Sequence, residues 1–135
     1  MVPGPMVDGV WDQVSANIAE ALRYDSGRFD LEDVREAIRA ERAQLWLAFR
    51  NAGWIATVVT EVQRYPQKSV LRFWCLEGSG VKENLALERV FEPFARRCDC
   101  DQLEIIGRAG WERILRPMGY RRQSTVLVRD LEAQG

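Results

Sequence analysis

A single α/β domain with a mixed sheet is the fold class that the sequence predicts, and three observations predict it. The chain has 135 residues, 47% of them hydrophobic and 29% charged, which suits one domain with its own core. Helical and alternating hydrophobic periods follow one another along the chain. Two strand-like runs, 70–76 and 103–106, are separated by a helical run, which is typical of a right-handed parallel crossover.

The N-terminal part of the chain is predicted to be helical. Residues 1–9 contain two prolines and glycines, so we expect a flexible lead-in there, a domain over 10–131 and a tail over 132–135. From Val10, apolar residues recur at helical spacing and predict a first helix. Asp30, with Asp33 three residues later, predicts the cap of a second helix.

Three runs of strand-forming residues predict an antiparallel meander at the start of the sheet. They are "AQLWLAFR" (43–50), "WIATVVTEV" (54–62) and "VLRFWCL" (70–76). The segments "NAG" and "RYPQKS" between them are rich in turn-forming residues, so consecutive strands are expected to pair as hairpins.

The C-terminal half alternates helices and strands. We predict a long helix over 81–97 that contains Pro93, the strand 103–106, and a short helix that Pro117 stops. Trp111, Ile114 and Leu115 lie on one side of that short helix and are expected to face the core. The run "STVLVRDL" (124–131) alternates and predicts a last strand.

Charge and composition exclude several classes of function. The formal net charge is −1, so no global field favours nucleic acid or an anionic membrane as partner. Histidine is absent, which excludes mechanisms that need a Ser-His or Cys-His pair. The three cysteines have no metal-ligand spacing, so we expect no metal, and their odd number fits a reduced, cytoplasmic setting.

One basic face stands out against this weakly acidic background. The stretch 107–122 holds five arginines and one acid, and Arg113 and Arg116 lie one helical turn apart. They are expected to be exposed. The face is either solvated or a contact for phosphate or for an acidic partner protein.

The order of elements over 10–131 resembles the Gcn5-related N-acetyltransferase (GNAT) fold. The stretch "GWERILRPMGYRR" (110–122) looks like the short helix and glycine-aromatic turn before the last strand of that superfamily, with Gly119 and Tyr120 in the turn. Together with "AQLWLAF", "ATVVTEVQRYP" and "LRFW", it also resembles small GNAT-like proteins of tailed phages and prophages.

The resemblance implies an acyl-CoA site after the third strand of the meander. The family carries the pattern Arg/Gln-x-x-Gly-x-Gly/Ala there, whose backbone N–H groups approach the pyrophosphate. "CLEGSGVKEN" (75–84) places glycines at the two glycine positions and Cys75 at the Arg/Gln position. The residues implied to bind the cofactor are Gly78, Ser79, Gly80 and Lys82. A tight strand-to-helix turn without a ligand is the alternative.

The family's proton-transfer groups are only partly matched. Its tyrosine acid stands four residues before the glycine of the closing turn, where this chain has Leu115. A leucine cannot protonate a leaving thiolate. Glu61 and Glu104 lie on predicted strands and are the candidate general bases if the protein is active; the alternative is a solvated or ion-paired strand residue.

Two functions therefore stay open. Cys75 and Leu115 favour a catalytically degenerate, phage-type GNAT-like protein that serves as a structural or protein-binding module. The alternative is an active N-acyltransferase that uses acetyl-CoA or another acyl-CoA to acylate an amine. A virion protein or another protein is the expected partner of the first, with virion association as an alternative to a purely cytoplasmic location, and homo-oligomers are compatible with both.

Overall fold

A computed structural model describes residues 1–24, 27–50, 53–78, 88–107 and 110–132. The α/β class, the antiparallel meander and the parallel crossover are confirmed. The helices are α1 (Val7–Leu22), α2 (Leu31–Arg39), α3 (Glu88–Arg97) and α4 (Gly110–Leu115), with 3-10 turns at Gly4–Met6 and Arg116–Met118. The strands are β1 (Gln44–Arg50), β2 (Gly53–Arg64), β3 (Ser69–Gly78) and β4 (Gln102–Ile105).

The sheet has the order β1-β2-β3-β4. β1 pairs antiparallel with β2, and β2 with β3, because short turns join them. β3 pairs parallel with β4, and α3 lies between these two strands in the sequence. The predicted beginning of this helix, 81–87, and the turn residues 51–52 lie outside the described residues.

Helices α1 and α2 cover one face of the sheet, called here the α1–α2 face. α1 buries residues at helical spacing, namely Val7, Trp11, Val14 and Ile18. Asp30 accepts a hydrogen bond from the backbone N–H of Asp33, and Asp33 accepts one from that of Asp30, so the predicted cap is a complete capping box. Val59 and Cys75 complete this half of the core from the sheet.

Helices α3 and α4 cover the opposite face, called here the α3–α4 face. Phe91 of α3 packs on Leu71 and Phe73 of β3. In α4, Trp111 and Leu115 are 8% and 7% exposed, so the predicted inward side of this helix is confirmed for both. Their cluster includes Ala56 of β2.

The first nine residues, expected as a flexible lead-in, make several contacts with the domain. Val2 forms a bridge with Leu45, and its backbone N–H donates to the Leu45 carbonyl at 2.8 Å. Gly4 is buried, and a Cβ at this position would lie 2.7 Å from the Ile38 carbonyl oxygen. Val7 is fully buried. The prolines in this segment therefore shape a packed 3-10 turn.

The predicted last strand is wrong. Residues 121–132 carry no helix and no strand, and the run 124–131 is exposed. Alternation in sequence records which side chains share a face of an extended chain, but a strand also needs a partner for its backbone groups. In the described part of the chain, no helix is both long and apolar enough to cross a bilayer.

Candidate functional site

The parallel ladder between β3 and β4 covers only the first half of β3. Their ladder begins at Val70–Gln102 and ends at the pair Phe73–Ile105. β3 continues to Gly78, roughly 17 Å farther at the usual rise per residue, whereas β4 ends at Ile105. Trp74–Gly78 therefore have no partner in β4 within the described ladder, and this unpaired side of β3 beyond Ile105 is called here the strand fork.

A β-bulge lies in β3 at the base of this fork. Val59 of β2 pairs with Cys75 and Thr60 pairs with Phe73, so Trp74 is the extra residue. As a result, Trp74 and Cys75 both pack with the cluster on the α1–α2 face. The Trp74 ring meets the half-exposed Phe29 edge-on, with ring centroids 4.9 Å apart.

The two predicted bases, Glu61 and Glu104, flank one arginine. Arg72 of β3 is the register partner of Glu61 in β2 and of Glu104 in β4. All three side chains lie on the α1–α2 face, because the adjacent Leu71 and Phe73 point to the other face. Arg72 Nη1 lies 3.5 Å from Glu61 Oε1, and both side chains are mostly buried. The structure therefore brings together two predicted residues that are 43 positions apart in the sequence.

The two carboxylates differ in their contacts. Glu61 is ion-paired with Arg72, which is the ordinary structural role of a strand glutamate. Glu104 is half-buried, lies one pair before the end of the ladder, and forms no salt bridge with any described residue. Glu104 is thus the carboxylate closer to the base of the fork and the one available to a ligand.

Two buried donors on β3 lie near these carboxylates. Arg72 Nε and Trp74 Nε1 are buried and have no hydrogen-bond partner within the described part of the chain. A buried polar group without a partner is costly, and such groups in native proteins require an explanation. Both are N–H donors, so they suit an acceptor oxygen of a bound molecule. Sequence reasoning missed both, because the sequence does not show that burial leaves these two N–H groups without partners.

Comparison with solved structures identifies the architecture. No family model matches the chain, and no curated protein matches its sequence. An aminoglycoside acetyltransferase from an uncultured soil metagenomic sample superposes with a TM-score of 0.65 at 11% identity, over 94% of this chain and 92% of that chain. A ribosomal-protein-alanine N-acetyltransferase from Brucella melitensis superposes with a TM-score of 0.60 at 12% identity, over 87% of this chain and 94% of that chain. A GNAT family acetyltransferase from Staphylococcus aureus superposes with a TM-score of 0.59 at 11% identity, over 92% of this chain and 93% of that chain.

The fold is that of the GNAT acetyltransferases.

The residues that the GNAT resemblance assigns to the cofactor are only partly described. Gly78 ends β3 at the open end of the fork, where a glycine lets a ligand approach the backbone. Ser79, Gly80 and Lys82 lie outside the described residues. Cys75, at the family's Arg/Gln position, is 2% exposed and packs with Val59 in the core. The side chain at position 75 is therefore buried and does not face the open end of the fork.

The GNAT tyrosine acid also has no counterpart at its usual position. Leu115 stands there and is buried against Trp111 and Ala56. Tyr120, just after the closing turn, is half-buried beside the same cluster, and its backbone N–H donates to the Leu115 carbonyl at 3.3 Å. Gly119 adopts φ +92°, a left-handed conformation that glycine takes without steric cost.

The basic face lies on the outside of α4. Arg113 and Arg116 are exposed, as the helical pattern predicts. Glu112 accepts hydrogen bonds from Arg122 and from Arg116, which hold the pKa of this carboxyl below its ordinary value. Together with Pro117, these residues line an open groove of about 660 Å³. The groove is far more basic than the chain as a whole, which suits an anionic contact.

Proposed function

We propose that this protein is an acyl-CoA-dependent N-acyltransferase, with the acyl-CoA in the strand fork and the acceptor amine on the α1–α2 face. The observation that carries the proposal is the position of Glu104, a half-buried carboxylate without a salt bridge at the base of the fork. The likeness to solved acetyltransferases supports the reaction class.

The amine that receives the acyl group must first lose a proton to a base. An amine is mostly an ammonium ion near neutral pH, and only its unprotonated form has the lone pair that attacks a carbonyl carbon. The Glu104 carboxylate accepts that proton. The new C–N bond forms as the C–S bond of the thioester breaks, and the CoA sulfur leaves as a thiolate, which takes up a proton from water. Arg72, which lies 3.5 Å from Glu61, is also the register partner of Glu104, so a positive charge lies on the same face as both carboxylates.

The buried donors serve the oxygen on which negative charge develops. A bound acyl-CoA would supply the activated acyl group. Arg72 Nε–H and Trp74 Nε1–H would donate to its carbonyl oxygen, and burial would strengthen each hydrogen bond. The edge-on contact between Phe29 and Trp74 fixes the indole ring.

The test is acetyl transfer measured as release of free CoA thiol. Wild-type protein is incubated with acetyl-CoA and, in turn, an aminoglycoside, a polyamine and a peptide with N-terminal alanine. Glu104→Gln keeps the size of the side chain and removes the base, so we expect a loss of roughly 100-fold or more in rate with acetyl-CoA binding retained. Glu92→Gln, an exposed glutamate of α3, is the matched control and keeps full activity.

Calorimetry with acetyl-CoA separates binding from transfer. Wild-type protein that binds acetyl-CoA and acetylates one of the amines supports the proposal. Wild-type protein that binds no acetyl-CoA would overturn it, as would a Glu104→Gln variant with unchanged rate.

A catalytically degenerate binding module is the second candidate. The buried positions of Cys75 and Leu115 favour it, because neither side chain can act on a ligand from within the core. For this candidate, the basic face around Arg113 and Arg116 is the contact for an acidic partner. Binding of acetyl-CoA without transfer to any amine, or no binding, is its expected result. The phage type and the virion partner stay predictions.

A further inference from the structure

The groove on the outer side of α4, called here the basic groove, is large enough for more than one charged group. It measures about 660 Å³ and is lined by Arg113, Arg116, Pro117, Arg122 and Glu112. Three arginines thus face one glutamate among the described residues that line it. A single carboxylate or phosphate fills only a small part of such a volume, which is in the range of a whole ligand.

The glutamate of the groove holds two of its arginines in place. Arg116 donates to Glu112 Oε1 at 3.1 Å, and Arg122 donates to Oε2 of the same carboxylate. A guanidinium carries several N–H donors, and these two side chains are 72% and 62% exposed, so most of their donors are accessible to a ligand. Arg113 is exposed and forms no salt bridge with any described residue. The groove therefore offers donors that are positioned before a partner binds.

Positive charge is concentrated in this part of the chain. The stretch 107–122 carries five arginines and one acid, a formal charge of +4. The whole chain has a formal charge of −1, so the residues outside this stretch sum to −5. A long polyanion such as a nucleic acid would meet that acidic remainder, whereas a short acidic segment contacts the groove alone. The charge distribution therefore favours a compact anionic partner.

The chain that leaves the groove offers apolar contacts as well. Arg122 lines the groove, and shortly after it Val126, Leu127 and Val128 are 69%, 90% and 69% exposed. Apolar side chains of a peptide can cover such residues, whereas a phosphate backbone has none. No aromatic ring stands among the described residues that line the groove, so a nucleic-acid base has nothing to stack on there. Both observations favour a polypeptide over a nucleic acid.

We propose that the basic groove binds an acidic, amphipathic segment of a partner protein. Carboxylates of the segment accept hydrogen bonds from Arg113, Arg116 and Arg122, and its apolar side chains contact the exposed residues at 126–128. Alternate residues of an extended peptide lie ~6.6 Å apart, close to the ~5–6 Å between side chains one helical turn apart, such as those of Arg113 and Arg116. This inference specifies the acidic partner of the binding-module candidate, and it holds whether or not the strand fork transfers an acyl group.

Fluorescence anisotropy with a labelled peptide tests the interaction. Every second residue of the peptide is glutamate, and the positions between are leucine and serine in turn; a control peptide has glutamine in place of glutamate. We expect saturable binding of the acidic peptide, no binding of the control peptide, and an affinity that falls as salt rises. Arg113→Gln with Arg116→Gln should weaken binding about tenfold, in line with the loss of two exposed ion pairs. Arg122→Gln should weaken it as well.

The matched control is Arg96→Gln with Arg97→Gln, at two exposed arginines near the end of α3. It removes the same charge from another surface, so it should keep the affinity, and circular dichroism checks the fold of every variant. Equal losses in the two double variants, or no binding of the acidic peptide below about 1 mM, would overturn the proposal. Unchanged affinity of a peptide with serine in place of leucine would do the same. So would tighter binding of a single-stranded oligonucleotide of equal length, or displacement of the peptide by acetyl-CoA, which would assign the groove to the cofactor.

Discussion

Replacing Trp111 by Ala tests how α4 is attached to the sheet. The indole is 8% exposed and contacts Ala56 of β2 and Leu115 in its own helix. A Cβ on Gly107 would lie 3.2 Å from Trp111 Cδ1, so the chain also closes over the ring from the β4 side. A tryptophan buries about 150–250 Å², or at most about 4–6 kcal/mol at ~25 cal/mol per Å².

The expected loss in the free energy of unfolding is therefore about 3–5 kcal/mol, in line with other large-to-small core changes. The whole free energy of unfolding of such a domain is only about 5–15 kcal/mol, so the variant is partly unfolded at low denaturant concentrations. Urea unfolding followed by circular dichroism measures the loss. A change below about 1 kcal/mol would show that the ring is not a core residue.

The matched control is the outer side of the same helix. Arg113 and Arg116 are exposed, and Arg116 takes part in one exposed ion pair with Glu112 at 3.1 Å. Exposed pairs contribute little, so Arg113→Ser with Arg116→Ser should change the free energy of unfolding by no more than about 0.5 kcal/mol. An unfolded double variant would mean that the two faces of α4 have been exchanged.

Two further predictions concern the N-terminal helices. Asp30→Ala removes the cap of α2 and should cost about 1 kcal/mol in urea unfolding, and Asp30→Ser should recover most of it; equal stability of all three proteins would contradict the capping role. Arg39 and Arg35 hold the pKa of Asp8 below its ordinary value, so the Asp8 contacts stabilise the fold above about pH 4 and lose this effect as pH falls through the lowered pKa. Asp8→Asn should thus melt earlier than wild type at pH 7 and converge with it in acid, and a difference that persists at the lowest pH would refute the assignment.

Local patterns predict most of the fold because the relevant contacts are near in sequence. The capping box joins Asp30 to Asp33, three positions apart, and the inward side of α4 follows from helical spacing. The parallel crossover between β3 and β4 follows from the order of the elements. These features need no knowledge of distant partners.

The predictions for the two ends of the chain fail because contacts with distant residues determine the structure there. The run 124–131 has the alternation of a strand, but its own domain leaves it unpaired. The segment 1–9 has the composition of a loose end, yet Gly4 fits against the Ile38 carbonyl because it has no side chain. For Gly4 the deciding contact is more than 30 residues away in the sequence, and for 124–131 no pairing partner exists in the described part of the chain.

The candidate site depends on a register that the sequence does not show. Glu61 and Glu104 were chosen separately, as glutamates on strands, and Arg72 joins them because three strands align at one level. The donors Arg72 Nε and Trp74 Nε1 carried no signal of their own. An arginine and a tryptophan two residues apart on a strand are ordinary until burial leaves both N–H groups without partners.

The bulge in β3 decides where the side chain of Cys75 lies. Strict alternation along β3 would turn Trp74 to the face of Arg72 and Cys75 to the opposite face. With the bulge, Cys75 also turns to the α1–α2 face and enters the core beside Val59, while Trp74 stays on the face of Arg72. One backbone irregularity thus buries the side chain at position 75, whereas the face of Trp74 follows from alternation alone. The sequence shows the residue at position 75 but not the bulge that determines its face, so its burial could not be predicted.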